Sequence, residues 1–337
     1  QYQESYDNAG LITGNPLTKV TGVLTCLDST EAIVDEAIQR GCNLIVAHHP
    51  IIFKGLKSLT GRTYIERTII KAIRNDIAIY AIHTNLDNIF QQGVNARIAQ
   101  RLGLQHTRLL QPKAVRQKLT TQVPATLSAQ LIQELQAAGA EDIQVLAQAS
   151  SAVLSGLQEE EDNLNGRLLH LQACFDRASA KKILQRLTEV HPYDDVPYEI
   201  NDLVNSSTQI GSGMLGELAS PMEALDFLKY LKDRMQVNCI KHTAFLGNKI
   251  HRVAVCGGAG GFLLRTAKAQ QADIFITSDY KYHEFFDADK EIIIADIGHY
   301  ESEQFTINLL QELISEKFTT FATYSTQVVT NPVQYFI

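Results

Sequence analysis

Nowhere does the sequence stay apolar for the roughly 20 residues that a membrane-crossing helix needs. It opens at Gln1, with no methionine and no secretory signal, so residues are expected in front of it. Basic charge is in short supply: 30 Lys and Arg against 37 Asp and Glu leave a net charge of −7 and a pI near 5.8. That balance disfavours general nucleic-acid binding. Cysteines are few, odd in number and scattered (Cys26, Cys42, Cys174, Cys239, Cys256), with no Cys-x-x-Cys pair. They are read as buried, reduced thiols of a cytoplasmic protein. There is no Gly-x-Ser-x-Gly nucleophile elbow, and Gly211-Ser-Gly213 is read as a loop, which argues against a serine hydrolase. Short-period repeats and low-complexity tracts are also missing.

What is present is the composition of a globular protein, 45% hydrophobic and 20% charged, in a chain of 337 residues that allows two or three domains. The most informative stretch is Asn43-Leu-Ile-Val-Ala-His-His-Pro-Ile-Ile-Phe53, where an apolar run stops at His48 and His49. Adjacent side chains of a strand point to opposite faces, so two imidazoles at its end can fan apart and reach two different metal ions. Asp87 follows a second apolar run, Ile79-Tyr-Ala-Ile82, and His299 and Glu303 follow a third, Ile292–Ile297. Three strand-like runs ending in His, Asp or Glu suit an active site at the carboxyl edge of a mostly parallel α/β sheet.

Segment 1–112 alternates strand and helix. Strands are predicted over Val20–Leu27, Asn43–Ala47 and Ile77–Ile82. Helices are predicted over Glu31–Arg40 (capped by Asp28 or Ser29), Arg62–Asn75 (with Ile65, Ile69, Ile70 and Ile73 on one face) and Gln92–Leu102. Segment 113–208 reads β-α-β twice, with a polar, acidic loop over 155–165, and suits an inserted ferredoxin-like α+β domain. Segment 209–337 returns to α/β texture, with strands ending at Cys256, Ser278 and Ile297, a helix over Tyr282–Asp289, another over Ser302–Leu313 and a last strand over Phe321–Val329. The two α/β halves, 1–112 and 209–337, are expected to complete one discontinuous domain.

A dinuclear site needs four to six protein ligands, with at least one carboxylate able to bridge, and can activate a water between its ions. The candidates are His48, His49, Asp87, His299 and Glu303. If a helix begins at His299, it and Glu303 share one face of the first turn. Imidazoles mixed with carboxylates suit Zn, Fe, Mn, Co or Ni. His83 is a candidate proton donor, with a buried structural histidine as the equal alternative. The backbone of Gly257–Gly261 could cradle a phosphate, or could be only a tight turn. Asp279 and His283 are candidates to line the pocket.

Taken together, Asp7-Asn-Ala-Gly-Leu11, Ala47-His-His-Pro50, His83-Thr-Asn-Leu-Asp87, Cys256-Gly-Gly-Ala-Gly260, Thr277-Ser-Asp279 and Gly298-His-Tyr-Glu-Ser-Glu303 resemble the Nif-three-like family, known in bacteria as GTP cyclohydrolase 1 type 2. The resemblance implies an α/β core of two halves. It implies two divalent metal ions per chain on His48, His49, Asp87, His299 and Glu303, and a ring-shaped homohexamer with the metals facing an internal cavity. The middle segment is similar to the CutA-like and PII-like insert of longer members, through Lys118–Pro124 and His191–Tyr198. The activity implied is a dinuclear-metal-dependent hydrolase that uses a metal-bridging water to open the imidazole ring of GTP with release of formate. Gly257–Gly261, or basic residues of a neighbouring subunit, would hold the triphosphate. The rival reading is a non-enzymatic metal-binding regulatory or metal-handling protein. Two departures from the pattern are a missing helical stretch ahead of Asp7 and Ser278-Asp279 where the family has Gly-Asp.

Overall fold

The computed structural model describes residues 2–147 and 168–336, so the acidic tract 155–165 lies outside the described residues. The chain forms two compact units, Gln1–Pro112 with Thr208–Ile337, and Lys113–Ser207. The first part of the chain carries β1 (Gly10–Thr13), β2 (Gly22–Cys26), β3 (Leu44–Ala47), β4 (Ala78–Ala81) and β5 (Gln105–Ala114). Next come β6 (Arg116–Pro124), β7 (Ala140–Ala147), β8 (Leu168–Asp176) and β9 (Tyr198–Asp202). The chain then returns with β10 (Ser206–Met222), β11 (Lys241–His242), β12 (Ile250–Val255), β13 (Ile274–Thr277), β14 (Ile293–Asp296) and β15 (Ala322–Ser325).

The first unit holds two sheets. One has the order β1-β4-β3-β2-β15, in which β2, β3, β4 and β15 run parallel and β1 is antiparallel at the edge. Every residue of β2 is buried, as a parallel strand covered on both faces requires. Helices Glu31–Gln39 and Tyr64–Arg74 cover one face, burying Ile33, Val34, Ile69 and Ala72 against Leu24, Ile45 and Ile79. The inward face of Tyr64–Arg74 is narrower than its isoleucines suggest, because Ile73 points outward and Ala72 takes its place. The chain's last strand, β15, pairs with β2 at the far end of the sequence, and Thr25 Oγ1 donates to the Ile307 carbonyl 3.0 Å away.

The other sheet has the order β11-β14-β13-β12-β10-β5, with β12, β13 and β14 parallel, β10 antiparallel to β12 and β11 antiparallel to β14. Gly211-Ser-Gly213, expected to be a loop, lies inside β10. A Cβ on Gly211 would sit 2.5 Å from the Gln111 carbonyl oxygen, and one on Gly216 2.8 Å from Leu104 Cβ. These glycines therefore mark close backbone approach within a sheet, where their composition reads as a turn. The expected helix Ser302–Leu313 is two helices, His299–Glu303 and Thr306–Lys317, and Tyr282–Ala288 is a 3-10 helix. Fully buried Phe227, Leu231, Leu102 and Val253 centre the larger core of this unit.

The second unit alternates β6, helix Ser128–Ala137, β7, β8, helix Ala180–Val190 and β9. Its sheet is antiparallel at each pairing, in the order β7-β8-β6-β9. Leu119, Leu131, Leu135, Leu171, Phe175, Ile183 and Leu187 form its core, all fully buried. Among the described residues of both units, no helix is long and apolar enough to cross a membrane. Cys26, Cys42 and Cys256 are buried, but Cys239 is exposed, against the expectation that the thiols are all hidden.

Candidate metal centre

The carboxyl ends of the parallel strands of both sheets in the first unit supply the site. The β2–β3 ladder runs past the named strands, since His48 N donates to the Cys26 carbonyl and His49 N to that of Leu27. The β3–β4 ladder continues likewise, with His83 N donating to the His48 carbonyl at 2.8 Å. These bonds fix three histidine backbones in adjacent positions. From the second sheet, Asp279 follows β13, and helix His299–Glu303 starts right after β14 with Gly298 as its N-cap. The four-residue spacing then brings His299 Nε2 to 3.2 Å from Glu303 Oε2.

Glu303 stands at the centre. His48 Nε2 lies 3.7 Å from its Oε1 and 3.5 Å from Asp87 Oδ1. His49 Nε2 lies 3.0 Å from Glu303 Oε2 and 3.3 Å from His299 Nε2. His48, His49 and Glu303 form a candidate metal-binding triad, with ligand atoms all within 4.8 Å of one another. His48 is fully buried, and both its ring nitrogens, Asp87 Oδ1 and Glu303 Oε2 have no hydrogen-bond partner among the described residues. Buried polar atoms without partners are costly and call for an explanation. With metal–ligand bonds of about 2.0–2.2 Å, ligands on one ion stand roughly 3–3.5 Å apart, close to the separations here.

Each remaining imidazole is held from behind by a carboxylate. His49 Nδ1 donates to Asp28 Oδ1 at 2.8 Å, His299 Nδ1 to Asp279 Oδ2 at 2.6 Å, and His83 Nδ1 to Asp7 Oδ1 at 2.6 Å. Such partners fix ring orientation and tautomer, leaving Nε2 turned toward the centre. Asp28 is free for this because Thr30, rather than Asp28 or Ser29, caps the helix by accepting from Ile33 N. His83 occupies a conformation rare for a side-chain-bearing residue (φ 39°, ψ −130°), a strain of order 1–3 kcal/mol that its bonds to His48 and Asp7 sustain. Thr84 Oγ1 and N also donate to Asp7, at 2.5 and 3.2 Å.

The charges follow from this packing. Burial opposes a charge on His49, but its hydrogen bond to Asp28 and the Glu303 carboxylate beside it raise its pKa to about 9. The same opposition is overruled at His299 by Asp279 and Glu303, which raise it to about 11. Burial, with Glu303 nearby, lifts Asp87 to about 6 against the pull of His48. Burial works against the Glu303 charge too, yet His48, His299 and His49 around it hold that carboxyl well below its usual range. A cation entering the cluster would therefore displace protons from imidazoles.

Three amides of the glycine run after β12 are taken by side chains. Gly257 N donates to Asn95 Oδ1, Gly258 N to Ser302 Oγ and Gly260 N to Thr277 Oγ1, at 2.9–3.0 Å. A Cβ on Gly258, whose φ is 64°, would sit 2.5 Å from Glu303 Oε1, so this glycine makes room for the carboxylate. Asp279 lines the cavity as expected, but exposed His283 does not and instead packs against Tyr282 and Phe286. Asp7 and Asp28 are the residues that sequence reasoning missed as partners of the histidines. Each stands in or beside a motif, but its partner is distant in sequence: Asp7 lies 76 residues from His83 and Asp28 lies 21 from His49. The cluster opens on a cavity of about 1050 Å³.

Comparison with known proteins places these residues in a familiar frame. The family model for Duf34/NIF3 (NGG1p interacting factor 3) matches residues 1–332. A Halalkalibacterium halodurans protein named GTP cyclohydrolase 1 type 2 homolog is 33% identical, over 97% of this chain and 91% of that one. The Bacillus subtilis protein of the same name is 30% identical over 94% and 88%. Among solved structures, Staphylococcus aureus protein SA1388 superposes with a TM-score of 0.79 at 29% identity, covering 99% of this chain and 93% of that one. A Bacillus cereus protein related to NIF3 gives 0.74 at 31% identity, covering 99% and 94%.

Proposed function

From the premise that the chain belongs to the Duf34/NIF3 family, we propose that it is a hydrolase-type enzyme working with two divalent metal ions per chain. The observation that carries this is the set of buried, unpartnered ligand atoms around the two oxygens of Glu303. His48, Asp87, His49, His299 and Glu303 would hold the ions, with His48 facing Oε1 of that carboxylate and His49 and His299 facing Oε2. Zn, Fe, Mn, Co and Ni all suit this donor set. Bound there, such ions would supply Lewis acidity and make water a nucleophile near neutral pH.

The chain's own residues do the rest. Asp28 and Asp279 hold the His49 and His299 rings with Nε2 toward Glu303. His83 is not among the proposed ligands; its ring centre lies 5.6–5.7 Å from those of His48 and His49. With Nδ1 tied to Asp7, it presents Nε2 as the group that gives or takes a proton at the reacting molecule. Phe53 stands edge-to-face with His83, their ring centres 5.6 Å apart.

The reaction we infer, from the name the relatives carry, is opening of a purine imidazole ring of the GTP type with release of formate. We further read the chain as a cytoplasmic homohexameric ring, and Lys113–Ser207 as a CutA/PII-like, ferredoxin-like insert. The β-α-β-β-α-β order and the strand sequence β9-β6-β8-β7 support that last reading. The test is formate release from GTP and from guanosine by the full chain reconstituted separately with Zn, Mn and Fe(II), beside His49→Ala. Metal-dependent turnover that the substitution abolishes is expected. A chain that holds its metals and releases no formate would sink the reaction and favour a metal-binding regulatory or metal-handling role.

A further inference from the structure

Four aromatic side chains line the cavity beside the cluster and remain largely uncovered: Tyr6 is 71% exposed, Phe53 55%, Tyr64 57% and Phe262 67%. Single exposed rings are ordinary, but several around one concave site mark a surface for an apolar, flat ligand. Phe53 carries this wall to the chemistry, since it contacts His83.

The charges of the cavity exclude a different kind of ligand. Among the described residues, seven carboxylates line it and Lys241 is the one Lys or Arg that does. Lys241 is already paired, with its Nζ 2.6 Å from buried Asp296. Two divalent ions would be balanced by Asp28, Asp87, Asp279 and Glu303, with the imidazoles taken as neutral. Glu4 and Glu301 then remain in the wall, and the loaded cavity still carries an excess of negative charge. In the glycine run, the amides of Gly257, Gly258 and Gly260 are already bonded to side chains. The helix beginning beside the cavity caps itself with Thr30 and opens with Glu31, which disfavours an anion at its positive end.

Resting on the reading of this cavity as a metal-assisted enzyme site, we propose that its substrate is a flat heteroaromatic without a polyphosphate, a purine-type base or nucleoside held by the ring. A nucleoside triphosphate brings about four negative charges to a wall in which this chain, among its described residues, supplies no unpaired Lys or Arg. The ring brings π-faces to aromatic side chains, the contact on which stacking sites are built.

The experiment is calorimetric titration of the Zn- or Mn-loaded full chain, with metal content measured on the same samples. Guanosine, GMP and GTP are the probes, the last added as its Mg complex so that it does not strip the site. Guanosine is expected to bind at least about tenfold more tightly than GTP at low ionic strength, with GMP between, and the gap is expected to narrow with added salt. Phe53→Ala and Phe262→Ala, both exposed and thus tolerant of truncation, should each weaken guanosine at least about fivefold without changing metal content. GTP binding as tightly as guanosine, or a chain that binds no guanosine, overturns the proposal. A chain that takes up no metal yet ranks the probes in this order sinks the metal reading and sustains the ring reading.

Discussion

Strands β3 and β12 end in ways that look equally promising in sequence. Each is an apolar run that stops abruptly, one at His48-His49-Pro50 and the other at Gly257-Gly-Ala-Gly-Gly261, and both ends border one cavity. Their polar atoms have opposite fates. After β3, both ring nitrogens of buried His48 lack partners; after β12, three successive glycine amides are bonded to Asn95, Ser302 and Thr277. Ligand-binding capacity lies in the polar atoms that a fold leaves unpaired, and the glycine end serves the other by giving Glu303 room. A motif that looks like an anion cradle is, in this packing, the backing of a candidate cation site.

The substitution that should separate the two ends most strongly is Glu303→Gln. It removes the carboxylate that both imidazole sets face, and metal affinity should fall by more than about 100-fold, beyond the 10–100-fold typical of residues that only orient ligands. Metal content after dialysis measures it, and a chain that keeps two ions would break the account of the β3 end. Asp28→Asn comes next. It leaves the fold but loosens His49, for an expected loss of about 10–100-fold in the affinity read by competition with a chelator.

The β12 end has its own test. Gly258→Ala drives a Cβ at Glu303 and forces a residue with φ of 64° into strain, so metal binding should weaken at least about tenfold. Gly261→Ala, where no atom lies closer than 3.7 Å to the added carbon, should leave it unchanged. If both variants kept their metal and lost a nucleotide instead, the glycine run would be a phosphate site after all.

A pH series sharpens the comparison more gently. His49 and His299, with pKa values raised to about 9 and 11, hold protons at neutral pH that a metal must displace. Affinity should therefore rise with pH, about tenfold per unit for each proton displaced, and flatten for His49 above about 9. The metal-free chain should move the other way. A raised folded pKa stabilises fully below the unfolded value near 6.5, and that stabilisation, at most about 3 kcal/mol for His49, is lost as pH rises through about 9. A melting temperature that rises with pH in the metal-free chain would contradict this assignment of charge.

Much of this was legible in the sequence, for reasons that can be located. Buried parallel strands read as unbroken apolar runs, so β2, β3, β13 and β14 announce themselves, and His48, His49, His299 and Glu303 stand at or just after such ends. The residues behind the histidines were hidden by competing local rules. Asp28 looks like a helix cap until Thr30 is seen to hold that place, and Asp7 acquires its meaning from a histidine that only tertiary folding brings near. Glycine misled twice, inside β10 where it permits close packing of neighbouring backbone, and after β12 where it makes way for Glu303. The single helix expected over Ser302–Leu313 breaks after Glu303, and its first piece begins at His299 as the spacing of the pair requires.

The proposal that two ions are held around Glu303 is tested most directly by anomalous scattering from crystals grown with Zn or Mn. The account predicts two peaks about 3.5–4 Å apart, one among His48, Asp87 and Glu303 and the other among His49, His299 and Glu303. A single peak on His48, His49 and Glu303, with Asp87 and His299 uninvolved, would contradict it.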